Sequence, residues 1–286
     1  MKRILVATCE EVPDLKADDR AILPLLKRHG IHAVPAVWSD ASVDWASADA
    51  VLIRSCWDYH LRHAEFLSWI GRLERAQVRV WNSPGLLRWN SDKRYLRDLE
   101  ARQVAIVRTL WGDTDPHASL KHSMTAAGWT KAVVKPCISA SAHRTIVVWT
   151  HTADAAQCEY DELRNGPGVM VQEFMEQVAT HGEWSLMFLN GQFSHAVLKL
   201  PKPGDFRVQS EYGGSIEAAV PPGFVLRDAE AVVSALEERP LYARVDGVES
   251  DGQFLLMELE LIEPMLFLDE PTAAGERFAA AIAGAL

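Results

Sequence analysis

Three hydrophobic regimes follow one another along the chain. In the first third, short apolar runs alternate with amphipathic stretches. RILVA (3–7) reads as a strand, and residues 17–29 read as a helix with Ile22, Leu23, Leu25 and Leu26 inward. HAVPAVW is a second strand, placed near a sheet edge by Pro35, which has no N–H to give a ladder. ADAVLIRS (48–55) is a third strand, followed by a helix at 62–76 and a short strand, VRVW. Strands alternating with helices predict βαβ units and a parallel sheet, whose ligands gather at the carboxyl ends of the strands. The middle of the chain has turn residues in SPGLLRWNSDK, a charged helix at 92–101, and strands at 129–136 and 168–175. From residue 182 the pattern becomes antiparallel. Asn190-Gly191 separates two apolar runs and marks a hairpin. A helix at 224–237 precedes two further strands, and a helix at 271–285 closes the chain.

The last of those strands, LLMELELIEP (255–264), carries charge where an apolar residue is expected. A period of two puts Leu255, Met257, Leu259 and Leu261 on one face and Glu258 and Glu260 on the other. Carboxylates about 7 Å apart on one face repel unless a cation lies between them. Just upstream, YARVDGV is expected to end at Asp246 before a turn at Gly247. Asp246, Glu258 and Glu260 then offer hard oxygen ligands of the kind Mg²⁺ takes alongside water and phosphate. The plainer alternative is a pair of solvated glutamates on an edge strand.

Composition narrows the partners. The chain has 286 residues, is 48% apolar, and carries a net charge of −10. That length predicts two or three domains. The charge argues against a nucleic-acid partner, since no basic stripe is present. Cys9, Cys56, Cys137 and Cys158 are far apart, so neither a zinc ribbon nor a disulfide framework is expected. The N-terminal apolar run is too short for a secretory signal, and no window is long enough to span a membrane. A cytoplasmic protein is expected. The ten histidines show no metal-ligand spacing.

Several polar residues interrupt apolar runs. Lys135 ends AVVKP, and Lys93 lies in NSDK at a helix start. A lysine in an apolar strand is costly unless an anion such as phosphate pairs with it; snorkelling to solvent is the alternative. VMVQEFM offers backbone groups for a purine edge, with Phe174 and Met175 as apolar walls. Glu183 in HGEWS is placed to accept from ribose hydroxyls. Lys199 and Arg207 flank the polar loop LPKPGDFRVQSEYGG, whose length suits a lid. In the N-terminal part, the loop RSCWDYH (54–60) offers Arg54, Asp58 and Tyr59 as substrate contacts, or else a set of aromatics capping the sheet.

The order of these parts resembles the ATP-grasp superfamily, most closely the glutathione synthetase type. The parts are a lysine at a helix start, a lysine ending a strand, Q-E-F, G-E, K-L-P, D-F-R, Y-G-G, R-V-D and E-L-E, and they cover residues 85–265. The resemblance implies an α/β (α+β) fold in three parts: a pre-grasp domain at 1–90, a small subdomain at 91–172, and a large subdomain at 173–286 bearing the metal site. It implies ATP and two Mg²⁺ as cofactors. Lys93, Lys135, Ser139 and Ser141 would face phosphates. Gln172, Glu173, Phe174 and Met175 would border adenine, and Glu183 would bind ribose. Asp246, Glu258 and Glu260 would hold metal, and Lys199 and Arg207 would face the transferred phosphoryl group. Two departures stand out. Glu260 replaces the asparagine usual in relatives, and the loop after Lys135 lacks their glycines.

The implied activity is an ATP-dependent carboxylate–amine ligation of a small amino-acid or peptide-like substrate through an acyl phosphate. Such chemistry needs no covalent enzyme nucleophile. The short pre-grasp part and CWDYH also look like the ATP-grasp enzymes that close the ring of cycloserine. Ring closure and joining of two molecules both stay open, as does a small-molecule kinase on the same fold. A nucleotide-binding module without catalysis and an unrelated α/β protein are the remaining readings. Relatives of this kind are often homodimers.

Overall fold

The computed structural model describes residues 1–115, 117–202, 213–268 and 273–286. Three sheets follow one another along the chain. The first is parallel and contains β1 (Lys2–Thr8), β2 (Ile31–Val37), β3 (Ala50–Ser55) and β4 (Val80–Trp81), in the order β2-β1-β3-β4. Pro35 indeed falls on an edge strand. β3 is buried along its whole length, as expected of a strand covered on both faces.

The second sheet holds β5 (Thr109–Trp111), β6 (Lys131–Pro136), β7 (Ile146–Trp149) and β8 (Val169–Glu173), in the order β5-β8-β6-β7. The third holds β9 (Glu183–Leu189), β10 (Gln192–Leu200), β11 (Ser215–Ala218), β12 (Tyr242–Ser250) and β13 (Gln253–Glu260), in the order β11-β10-β9-β12-β13. Both are antiparallel, and Asn190-Gly191 forms the β9–β10 turn with both residues at positive φ. Among the described residues, no helix is long and apolar enough to cross a membrane.

Two helical stretches differ from the sequence pattern. Residues 17–29 form two helices, Ala17–Arg20 and Ile22–Arg28. Pro24 has no N–H to continue the first helix but is tolerated in the first turn of the second. The stretch read as turn residues before 92 is itself a helix, Pro84–Asn90, capped by Ser83, whose hydroxyl accepts from Leu86 N. Lys93 lies in the turn between it and the helix Tyr95–Ala101.

The strands that carry the carboxylates depart from simple alternation. β12 does not turn at Gly247 but runs through it to Ser250. Opposite, the ladder pairs Asp246 with Glu258 and Gly247 with Leu256, so Met257 is an extra residue. This bulge reverses the facing of β13. The core face is therefore Phe254, Leu256, Leu259 and Leu261, not Leu255 and Met257 with Leu259 and Leu261. Met257 instead lies on the same side as Glu258 and Glu260.

β13 is an edge strand, yet its outer backbone groups are satisfied. Ala105 and Val107 bond Leu256 from one side. Tyr95 Oη accepts from Leu259 N at 2.9 Å, and Asn90 bridges Leu259 O and Leu261 N at 2.8 Å each. Asn82 donates to Leu261 O and to Tyr242 O. Side chains from the segment 82–95 thus cover an edge that would otherwise be open for pairing, and they fix the strand that bears the acids.

Candidate functional site

A cavity of about 570 Å³ lies between the second and third sheets and the N-terminal loop after β3. The register of β9, β12 and β13 sets its charged wall. Ser185 lies opposite Asp246, Asp246 opposite Glu258, and Arg244 opposite Glu260. Arg244 and Asp246 are two residues apart on one strand and share a face. The Arg244 Nε lies 3.0 Å from both Asp246 oxygens, and its Nη2 also bonds Glu260. Ser185 donates a further hydrogen bond to Asp246. Lys199 lies opposite Glu183 across β9 and β10; its Nζ is 2.9 Å from Glu183 and 3.7 Å from Asp246.

Lys93 reaches the same wall from the turn before the helix at Tyr95. Its Nζ donates to Glu258 at 2.7 Å and to the Ser139 carbonyl at 2.7 Å. Lys135, at the end of β6, forms no ion pair with any described residue. Burial pulls its ammonium below the ordinary lysine value, although Glu258 acts in the opposite sense. Burial also works against the charged forms of Asp246 and Glu258. Arg244 with Lys199, and Lys93 with Lys135, outweigh it, so both carboxyls sit below the usual range.

Glu260 differs. Burial, with Asp246 and Glu258 close by, pushes its carboxyl up to about 7 even though Arg244 opposes the shift. Burial and Glu260 likewise raise Glu263 well above the carboxylate range. This end of the cavity therefore has more carboxylates than its cations neutralise.

The other end is apolar. Gln172 is buried on β8, and its Nε2 has no partner among the described residues. Phe174 and Met175 line the same wall, and the Lys131 ammonium lies 3.3 Å from the centre of the Phe174 ring. Glu173 is half-buried, 3.5 Å from Arg108. The loop after Lys135 curls over this region. Ser141, Ala142 and Arg144 take positive φ, a conformation that glycine adopts without a Cβ penalty. Ser139 is buried, its hydroxyl donating to Pro136 O at 3.2 Å.

The cavity wall thus gathers Lys93, Lys135, Ser139, Ser141, Gln172, Glu173, Phe174, Met175, Glu183, Lys199, Asp246, Glu258, Glu260 and Tyr59. Arg54 and Asp58 are not on it. Arg54 is buried in an ion pair with Asp19 at 2.7 Å, and Asp58 accepts from Trp38 Nε1 at 2.7 Å. Arg207 lies outside the described residues. Among the described residues no three acidic, histidine or cysteine side chains already converge as a metal-ligand set. Asp246, Glu258 and Glu260 are engaged by Arg244 and Lys93 instead. The sequence reading did not single out Arg244, Lys131, Trp57 or Glu263. The signal for Arg244 was present: its spacing of two from Asp246 on a strand puts both on one face. Glu263 lies beyond the strand, where alternation no longer applies.

Comparison with known proteins gives a consistent picture. Residues 4–82 match the family described as the N-terminal domain of D-cycloserine synthetase DcsG. The cycloserine biosynthesis protein DcsG of Streptomyces lavendulae is 33% identical over 280 residues, covering 92% of this chain and 91% of that one. The crystal structure of D-cycloserine synthetase DcsG superposes with a TM-score of 0.89 at 29% identity, covering 99% of both chains. D-alanine–D-alanine ligase from Bacillus anthracis shares the fold, with a TM-score of 0.70 at 15% identity over 99% of this chain and 96% of that one.

Proposed function

The chain belongs to the ATP-grasp carboxylate–amine ligases, and from that premise we propose that it closes a ring within one small amino-acid derivative. The observation that carries this reading is the match of the N-terminal part to the N-terminal domain of D-cycloserine synthetase, within a similarity that spans nearly the whole chain. That part supplies Trp57 and Tyr59 to the cavity and so stands on the substrate side.

The residues present fit both cofactors. The unpartnered Nε2 of buried Gln172, beside Phe174 and Met175, suits the edge and face of a purine. Lys93, Lys135, Ser139 and Ser141 would hold its phosphates, and Glu183 the ribose. Asp246, Glu258 and Glu260 form an all-oxygen donor set of the kind magnesium takes, and burial together with Asp246 and Glu258 keeps the Glu260 carboxyl raised despite Arg244, which favours a divalent cation there. These three carboxylates would be the ones to hold the two ions that the resemblance implies. When bound, they neutralise charge on the transferring phosphoryl group.

The substrate carboxylate attacks the γ-phosphorus of ATP, the bond to ADP breaks, and an acyl phosphate forms. Lys199 and Arg244, both on the cavity wall, would hold the anionic oxygens in place. A nitrogen of the same molecule attacks the acyl carbon. The C–N bond forms as the C–O bond to phosphate breaks, and the departing phosphate takes the proton from nitrogen. All four cysteines are free, which suits the reducing, ATP-rich cytoplasm.

The test is turnover of β-aminooxyalanine, the acid that opening the amide of cycloserine yields, with Mg²⁺ and ATP. ADP and a dehydrated cyclic product from this compound alone are expected. Glu258→Gln should slow turnover by about 10²-fold or more. A need for a second amine would mean joining of two molecules. A stable phosphorylated acid without amide would mean a kinase.

A further inference from the structure

Beyond the metal-facing carboxylates, the cavity holds an acid with no part in the chemistry above. Glu263 stands three residues past Glu260, beyond the end of β13, and lines the cavity with Trp57 and Tyr59. Its backbone is pinned at three successive carbonyls. Trp57 Nε1 donates to Glu263 O at 3.1 Å, Arg54 Nη2 to Pro264 O at 2.5 Å, and Arg244 Nη1 to Met265 O at 3.1 Å. A segment held in this way has little freedom to swing its side chain elsewhere.

The Glu263 carboxylate forms no ion pair with any described residue. The neighbouring cations are committed: Lys93 to Glu258, Arg244 to Asp246 and Glu260, and Lys199 to Glu183. Lys16, on the N-terminal side, lies over the Trp57 ring at 4.5 Å. Tyr59 adds an independent observation. It is only 5% exposed and lines the same cavity, and its hydroxyl has no hydrogen-bond partner among the described residues. Of the charges acting on that phenol, Glu263 is the strongest. A phenol hydroxyl and a half-buried acid that no described cation pairs with, both lining one end of the cavity, offer a ligand's ammonium an acceptor and a counter-charge that nothing else there takes up.

We propose that Glu263, with the Tyr59 hydroxyl, receives the α-ammonium group of an amino-acid substrate. The identity of that amino acid rests on the ring-closing reading; the ammonium does not. In ring closure the α-ammonium takes no part in bond making. Glu263 therefore selects the substrate and sets its orientation, while the carboxylate is activated elsewhere in the cavity. The substrate class is then an α-amino acid whose side chain carries the attacking nitrogen, rather than an oxy acid or a peptide with a blocked N-terminus.

The test is calorimetric titration of the full-length protein, loaded with Mg²⁺ and ADP, with two ligand pairs that differ only in the ammonium. The pairs are cycloserine with isoxazolidin-3-one, and each enantiomer of serine with 3-hydroxypropionate. The wild type should prefer the ammonium member by about 10- to 100-fold, the range of a hydrogen bond to a charged group. Glu263→Gln should abolish that preference and leave affinity for the des-amino members unchanged. Tyr59→Phe should lower it in part, and serves as the second variant if Glu263→Gln does not fold. A preference that survives Glu263→Gln overturns the assignment. So does a wild type that shows no preference in either pair. If the serine pair obeys the prediction and cycloserine does not bind, the ammonium site stands and the ring-closing reading falls.

Discussion

Replacing Arg54 with methionine should destabilise the protein severely, and the same structure says how to recover it. Arg54 is 1% exposed and Asp19 5%, and their 2.7 Å contact joins the end of β3 to the first helix. The guanidinium also lies over the rings of Tyr242 and Phe278, at 4.9 and 5.7 Å. Methionine keeps much of the apolar stem, so the principal loss is charge. Asp19 would keep one hydrogen bond, from Ser55 Oγ at 2.7 Å, but no cation. Breaking a buried pair from one side costs about 3–5 kcal/mol, a large share of a typical stability of about 5–15 kcal/mol. The orphaned Pro264 carbonyl falls within that estimate. Urea unfolding followed by the fluorescence of the ten tryptophans would report the midpoint. Adding Asp19→Asn to Arg54→Met should restore about 2 kcal/mol or more, because the uncompensated charge is then gone. If Arg54→Met costs under about 1 kcal/mol, or the double variant is no more stable than the single, Arg54 is not the structural cation described here.

Other outcomes follow from the same geometry. Burial and His143 lower the His60 imidazole from 6.5 to about 4, so the folded state prefers it neutral. Its contribution is complete above pH 6.5 and is lost as pH falls toward 4, by at most about 3 kcal/mol. His60→Gln should flatten the fall in urea midpoint between pH 7 and pH 4.5, and an unchanged slope would refute this. At Gly247 a Cβ would collide with the Phe254 ring and the Leu255 carbonyl. Gly247→Ala should therefore cost about 1–3 kcal/mol in thermal or urea unfolding, and a neutral effect would mean that the bulge yields easily. Gln172→Met removes a buried donor without a partner, so stability should hold or rise by up to about 1 kcal/mol. Mg-ATP affinity should fall about tenfold by calorimetry, since that donor is then lost to the purine. Loss of stability with intact affinity would reverse the reading.

The amino-acid sequence by itself determined the alternation of strands and helices in the first third of the chain, the edge position of β2, the Asn190-Gly191 hairpin, and the strand that carries Glu258 and Glu260. These features rest on side-chain period and turn chemistry, which act over a few residues. It also placed one lysine at the end of β6 and another at the start of a helical region. Only the tertiary structure decided which charges meet. Lys93 finds Glu258 across 165 positions of chain, and Arg54 finds Asp19 and Pro264 rather than the cavity. The bulge at Met257 is also tertiary in origin. It arises from how β13 pairs with β12 around Gly247, and it sets which residues face the cavity. The physical reason is common to these cases. The cost of burying a charge depends on every neighbour that folding brings near it, and those neighbours come from distant parts of the chain.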